Sequence, residues 1–341
     1  MKTINLTRMN LGKILLLLIL FIFVMYFGQF ILLPLSLALF VFIIVKSLSA
    51  KLLYYTKKYL KFQLGELISI LLMFFIIIVL SYLISVIFKF NILHVIDNSS
   101  SYQKNLEKIF EFSSIQHISE LVPIEKFINS LNFVNFLSKL LNGFTNFAGN
   151  FTFILIFFIF IVAEKKNFLK KIELIIEKRN MGIIQKINND IFNYFQLKSL
   201  TSFFTALLTF LSLEIIGNEL APSFAILSFL LNFIPFLGSL ISVVLPSLFS
   251  IIQFVDFYEP ITTFIVLVLI QIFIGNFLEP KLMGKTLNIS PLIMIIFLAL
   301  MGKIWGVAGM FLSVPFLVVL LIIMRNIRSL KKVAIFLSEK V

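Results

Sequence analysis

Gln271, Gly275 and Glu279 recur at i, i+4 and i+8, on one face of a helix, and Pro280 follows at once. Asn276 lies beside them, Asn232 precedes an Ile234-Pro235 break, and Glu214 stands near the end of another apolar run. Polar side chains in such surroundings are costly, so each is a candidate for chemistry. Amides can hydrogen-bond a polar solute. A carboxylate at a helix end beside a proline can exchange a proton or hold a cation. The competing readings are structural. The amides can bridge neighbouring helices, at less than about 1 kcal/mol each, and Glu279 can be an interfacial carboxylate paired with Lys281 or Lys285.

Catalytic signatures are missing. The two histidines, His94 and His117, are far apart, so there is no H-E-x-x-H, and no G-x-S-x-G turn occurs. Neither histidine has a paired Cys or Glu at ligand spacing, which argues against a metal site. "MGKT" at Met283–Thr286 mimics the end of a phosphate loop, but Glu279 stands where its first glycine belongs. The reading is no enzyme, no cofactor and no metal. Any pumping must draw on an ion gradient or a partner.

The elements that would position these residues are apolar to a degree that sets the class. Of 341 residues, 60% are hydrophobic and 13% charged, more apolar surface than a water-soluble domain could cover. Runs of about 20 apolar residues cross a ~30 Å hydrocarbon core as helices. The fold class is therefore all-α and polytopic, with about eight hydrophobic segments. The net charge of +13 lies in short stretches flanking apolar runs, the positive-inside pattern and not a nucleic-acid surface. With no cysteine there is no disulfide framework.

Along the chain, residues 14–45 are apolar for longer than one untilted span needs. Phe27–Phe30 and Pro34 offer a turn, so a tight hairpin of two spans is expected, with the basic N-terminal tail retained and not cleaved. A third span, about Leu67–Phe88, completes a block over 1–88. Residues 89–147 have balanced charge and read as an extracytoplasmic amphipathic helical segment. A fourth span covers 148–163. Residues 164–197 are basic and periodic, expected as a cytoplasmic amphipathic helix parallel to the membrane. Residues 198–324 form the C-terminal core, opening with a fifth span to about Gly217, and 325–341 a cytoplasmic tail.

Two segments of this core, 222–252 and 290–324, are broken. The first holds "NFIPFLGS" and the second "MGKIWGVAG", and each spaces two prolines by 24 residues, Pro222 to Pro246 and Pro291 to Pro315. Such breaks survive in a bilayer only where protein or a water-filled cavity satisfies the freed backbone, and paired broken segments point to a transport site. Two topologies fit each segment, one kinked span or a re-entrant hairpin; the charges of Asp256, Glu259, Lys281 and Lys285 lean towards hairpins entering from opposite faces.

The stretches "LAPSFAILSFLLNFIPFLGSLISVVLPSL" and "IQIFIGNFLEPKLMGKTLNISPLIMIIFLALMGKIWGVAGMFLSVPFLVVLL" resemble the AI-2E transporter family, the autoinducer-2 exporter-like membrane proteins of bacteria. The likeness in layout extends over about residues 10–330. It implies a multi-pass inner-membrane permease with both termini cytoplasmic, and a homo-oligomer, for which a pentamer is compatible. It associates the chain with export of autoinducer-2 or a similar small solute, or with sodium/proton antiport. The pattern residues it carries over are Asn232, Pro235, Gly238, Pro246, Asn276, Pro280, Gly284, Pro291, Gly306, Gly309 and Pro315. Glu279 stands where glutamine is common in the family. The expected partners are the lipid bilayer, further copies of the chain, a small solute and H+ or Na+, with no nucleic acid. The expected pathway is lined by Asn232, Gln271 and Asn276, with Glu279 and Glu214 as carboxylates and the prolines and glycines as hinges. A membrane scaffold acting through residues 89–147 or 164–198 is the reading from another class.

Overall fold

A chain in hydrocarbon must pair its backbone N–H and C=O groups within itself, and all regular structure among the described residues is helical. The computed structural model describes residues 19, 20, 22–61, 65–111, 151–165, 167, 170, 171, 181–283, 289–326 and 330–339. The helices are α1 Gln29–Tyr55, α2 Glu66–Asp97, α3 Ser99–Glu111, α4 Met181–Ile216, α5 Ala221–Leu231, α6 Leu237–Phe254, α7 Tyr258–Ile272, α8 Pro291–Asn326 and α9 Lys331–Phe336. Residues 22–27 and 151–165 are also helical, and α7 runs through a π-helical turn, Phe273–Leu278, into Glu279–Met283. Among the described residues six segments are long and apolar enough to cross a membrane. The protein is polytopic and all-α.

Both broken segments are helical hairpins. At 1.5 Å per residue the 36 residues of α8 would part its ends by about 54 Å if straight. Yet the N–H of Ser290 donates to Leu337 O at 3.0 Å, and the short stretch from Asn326 to Leu337, six residues of it helical, cannot bridge that gap. The reversal is at Gly306, where φ is 62° and ψ −144°, a conformation open essentially to glycine alone. It brings Met301 O so close to Gly309 that a Cβ there would lie 2.1 Å away. In α5–α6 the same closure joins the two ends: Gln253 Nε2 donates to Gly217 O at 2.7 Å, and Glu219 N donates to Gln253 Oε1 at 3.0 Å. The 11 residues of α5 reach only about 16 Å, too short to cross a bilayer.

Two other expectations change. The two spans expected within 14–45 are, over the described part, one helical path. Gly28 N bonds Val24 O, Leu32 N bonds Gly28 O, and Pro34 lies inside α1. Gly28, at φ −84° and ψ 6°, bends the ladder without reversing it; in lipid those backbone groups have no other partners. The amphipathic helix expected over 164–197 is also not separate from the fifth span, because α4 runs unbroken from Met181 to Ile216. Much of 89–147, including His117, lies outside the described residues.

The chain divides into two compact units. One comprises Met1–Phe74, Asn150–Leu197 and Met283–Val341; the other comprises Phe75–Gly149 and Lys198–Leu282. In the first, α1 lies along the second arm of α8. Trp305 Nε1 donates to Met25 O at 2.9 Å, and the Phe40 and Phe316 rings meet edge to face at 5.4 Å. Glu66 pairs with Lys165, and Ser49 bonds Ser69. In the second, Leu213, Phe224, Val243, Phe249, Leu267 and Ile274 share one buried core with Tyr102 of α3.

Candidate functional site

The site is built inside the second unit, on the polar face of α4. Lys198, Thr201, Ser202, Thr205 and Thr209 recur at three- and four-residue steps and all are buried. Thr201 and Thr205 spend their hydroxyl protons on Lys198 O and Thr201 O, the usual way a helix in lipid hides a threonine. Lys198 and Ser202 instead reach other elements.

Ser202 Oγ accepts from Asn232 Nδ2 at 3.0 Å, which holds the tip of the α5–α6 hairpin against α4. The mouth of that hairpin begins just beyond the end of α4. Gly217 (φ 86°) closes the helix there, with Gly217 N on Glu214 O and Asn218 N on Leu213 O. The hairpin therefore reaches back along α4 from residue 217 to residue 202, about 22 Å. At the tip, Phe233 N bonds Leu230 O, Ile234 N bonds Leu231 O, and the chain turns at Pro235-Phe236.

Phe236 has φ 62° and ψ −58°, and Leu237 N closes on Pro235 O at 2.7 Å. This is the rare γ-turn with a positive central φ, which a bulky residue adopts at a cost of about 1–3 kcal/mol. The residue is 53% exposed, so burial does not repay the strain. Gly238 completes the turn because a Cβ there would sit 1.8 Å from Leu231 O.

Lys198 Nζ donates to both carboxylate oxygens of Glu279, at 2.7 and 2.9 Å. The lysine side chain is 6% exposed and the carboxylate 23%. Since Lys198 precedes Ser202 by about one turn, the pair lies about 6 Å along α4 from the Asn232 contact. The π-helical turn Phe273–Leu278 widens α7 just before Glu279. Asn276 and Glu214 are exposed and Gln271 is half-buried. Of the five polar candidates, the structure gives Asn232 and Glu279 buried partners.

The far end of the unit carries a second polar set. Asn218 Nδ2 donates to Ser250 Oγ at 3.1 Å, and Ser250 lies 3.2 Å from the Thr263 hydroxyl. Helix α3 docks here. Its Tyr102 hydroxyl donates to Glu219, and Asn105 Nδ2 bonds Ile252 O and Gln253 O, both at 3.2 Å. Burial of the ring, then the bond to the Glu219 carboxylate, pushes the Tyr102 phenol up from its ordinary range. Between the two ends the hydroxyls of Ser223, Ser228 and Ser242 are buried with no partner among the described residues.

Among the hinge residues, Pro235 and Gly238 form the tip, Pro246 is buried inside α6, and Pro315 is buried inside α8. Pro280 follows Glu279, Pro291 opens α8, and Gly284 lies outside the described residues. Sequence reasoning did not single out Lys198, Ser202, Phe236, Tyr102 or Glu219. Lys198 had a signal, since it opens a run with Thr201, Ser202, Thr205 and Thr209 at helical spacing. Phe236 had none, because only the coordinates reveal its φ.

Residues 15–329 match the model of a family described as AI-2E family transporter. A Borreliella burgdorferi protein named "Putative transport protein" is 34% identical over 62% of this chain and 61% of its own length. Escherichia coli K12 has two relatives at 28% identity. The "Putative transport protein YhhT" matches over 68% of this chain and 66% of its own, and the "AI-2 transport protein TqsA" over 60% and 59%. The chain thus spans less than two thirds of the length of each of these relatives.

Proposed function

The chain belongs to the AI-2E transporter family, and from that premise we propose that it is a secondary permease exporting a small polar solute, AI-2 or a similar signal, across the bacterial inner membrane. The observation that carries this reading is the strained hairpin tip, Asn232 to Gly238, held to Ser202 about one helical turn from the buried Lys198–Glu279 pair. A broken helix offers a solute unpaired backbone groups at membrane depth. The buried hydroxyls of Ser223, Ser228 and Ser242 add side-chain groups that a polar solute could bond.

In this reading Asn232 contacts solute and the hairpin tip rearranges between outward- and inward-open states. Gln271 and Asn276 line the path on the α7 side, and Glu214 belongs to its outer approach. The glycines and prolines of α8 supply the corresponding break in the other unit. The relatives' names, one of them an AI-2 transport protein, support transport as non-enzymatic work. The basic stretches around residues 46–61 and 165–171 and the C-terminal tail are cytoplasmic under the positive-inside rule. The N-terminal tail lies outside the described residues. Homo-oligomerisation belongs to the same proposal.

The test is AI-2 accumulation in everted vesicles carrying the protein, beside Asn232→Ala and Glu279→Gln. Accumulation above empty vesicles, lost in Asn232→Ala, is expected. Vesicles with folded protein that accumulate no more AI-2 than empty ones overturn that solute.

A second reading, sodium/proton antiport, rests on the buried pair. Lys198 occupies both oxygens of Glu279, so a cation reaches the carboxylate only when the ammonium leaves. In that cycle Glu279 is the carrier and Lys198 its tethered competitor. Proton flux after a sodium step, abolished in Glu279→Gln, is the expected result. Wild-type protein with no such flux overturns antiport. A scaffold role draws only on the docking of α3 and is the weakest of the three.

A further inference from the structure

The C-terminal end of α1 carries a patch that the transport readings leave unused. Residues Tyr54 to Lys61 read Tyr-Tyr-Thr-Lys-Lys-Tyr-Leu-Lys, and between Lys46 and Lys61 there are five lysines and no acidic residue. Here α1 passes into a π-helical turn, Thr56–Leu60, which ends at Lys61 with φ 53°. The wider turn gathers three tyrosines on the outside, Tyr54, Tyr55 and Tyr59, which are 60%, 54% and 68% exposed. The Tyr55 and Tyr59 rings stack at 6.1 Å, and Tyr54 meets Tyr55 edge-on at 5.5 Å. Lys58 Nζ lies over two of these rings, 5.2 Å from the Tyr59 centroid and 5.8 Å from that of Tyr54.

We propose that this end of α1 binds the headgroup layer of an anionic phospholipid leaflet, with Lys57, Lys58 and Lys61 on the phosphates and the three tyrosine rings seated among the headgroups. Three observations converge on that occupant. The patch terminates a 31-residue membrane-length segment, Gln29–Tyr59, which puts it at headgroup depth. Tyrosine prefers that layer because its ring is apolar and its hydroxyl wet. The charge is also uncompensated. The ion pairs Lys165–Glu66 and Lys198–Glu279 use none of these lysines. Finally, the cation–π contacts hold Lys58 on a ring platform, so less side-chain freedom is lost on binding. An acidic protein segment would satisfy the lysines but would leave three exposed rings unexplained.

Each lysine near an anionic surface strengthens attraction about five-fold, and the attraction weakens with salt. The test reconstitutes the whole chain into vesicles of equal phosphatidylcholine and phosphatidylglycerol. It is then extracted in mild detergent, and the lipid that stays bound is measured. Wild type is expected to retain phosphatidylglycerol in at least several-fold excess over phosphatidylcholine, falling towards parity at high salt. K57Q/K58Q/K61Q, checked for helix content, is expected to fall to parity, whereas K104Q/K108Q on α3 retains the excess. Y54A/Y59A, with every charge intact, is expected to lie between them. Should the triple variant not fold, single K58Q is expected to show a reduced excess. Parity in wild type, or equal loss in K104Q/K108Q, overturns the proposal. An excess unchanged in the folded triple or single variant also overturns it and leaves the lysines to an acidic protein segment.

Discussion

Lys198 and Glu279, 81 residues apart in sequence, are joined by two short bonds, from one ammonium to both oxygens of one carboxylate. The sequence offers Lys281 and Lys285 as nearer partners for Glu279. The tertiary structure instead uses a lysine inside an apolar helix, where an unpaired charge would be costly.

Breaking that pair from one side therefore exposes the other partner's cost. Lys198→Gln and Glu279→Gln should each lower stability by about 3 kcal/mol, the low end for buried pairs because Glu279 keeps some exposure. The double variant should recover much of that loss, since no charge is then left alone. Thermal unfolding in detergent across the four proteins measures the coupling. Additive losses would mean the two groups do not stabilise each other.

The hairpin tips carry conformations that only particular residues tolerate. Phe236→Gly removes a positive-φ penalty and should raise stability by about 1 kcal/mol, less than the full strain because glycine also loosens the unfolded chain. If the strain serves transport, solute flux falls while the melting temperature rises. Gly306→Ala, at φ 62° and ψ −144°, should instead cost about 2 kcal/mol or more. Melting curves and flux on the same preparations read both outcomes.

Tyr102 links stability to alkaline pH. Its folded phenol titrates above the unfolded value of about 10. The contribution is thus fully present below pH 10 and is lost as pH rises from there through the folded value. Tyr102→Phe gives up the bond to Glu219, a loss of about 1–2 kcal/mol at neutral pH, and should show a shallower fall in stability above pH 10. Tyrosinate absorbance provides the direct check, because the variant should lack the latest-titrating component.

Much of the fold was legible because lipid imposes simple rules. Composition alone demanded helices, and the chain breaks between Pro235 and Gly238 and at Gly306. Hairpin or kink was not legible, because proline and glycine permit a reversal without requiring one; the Ser290–Leu337 and Gln253–Gly217 bonds decide it. At the site, Asn232 and Glu279 stood out as polar residues among apolar ones. Their partners did not, because Ser202 and Lys198 meet them only through packing of distant segments. The π-helical turn Phe273–Leu278 was not legible either, because hydrophobic periodicity does not distinguish it from a regular α-helical turn.

By itself the sequence determined the solvent of this protein and hence its class, because transfer of apolar side chains and the need to pair every backbone group are set residue by residue. It also determined where the helices could break. Only the tertiary structure decided which way each break turns, which lysine meets Glu279 and which residue bears the strain at Phe236. These depend on contacts between segments far apart along the chain, where the free energy of each alternative is set by neighbours that local sequence does not name.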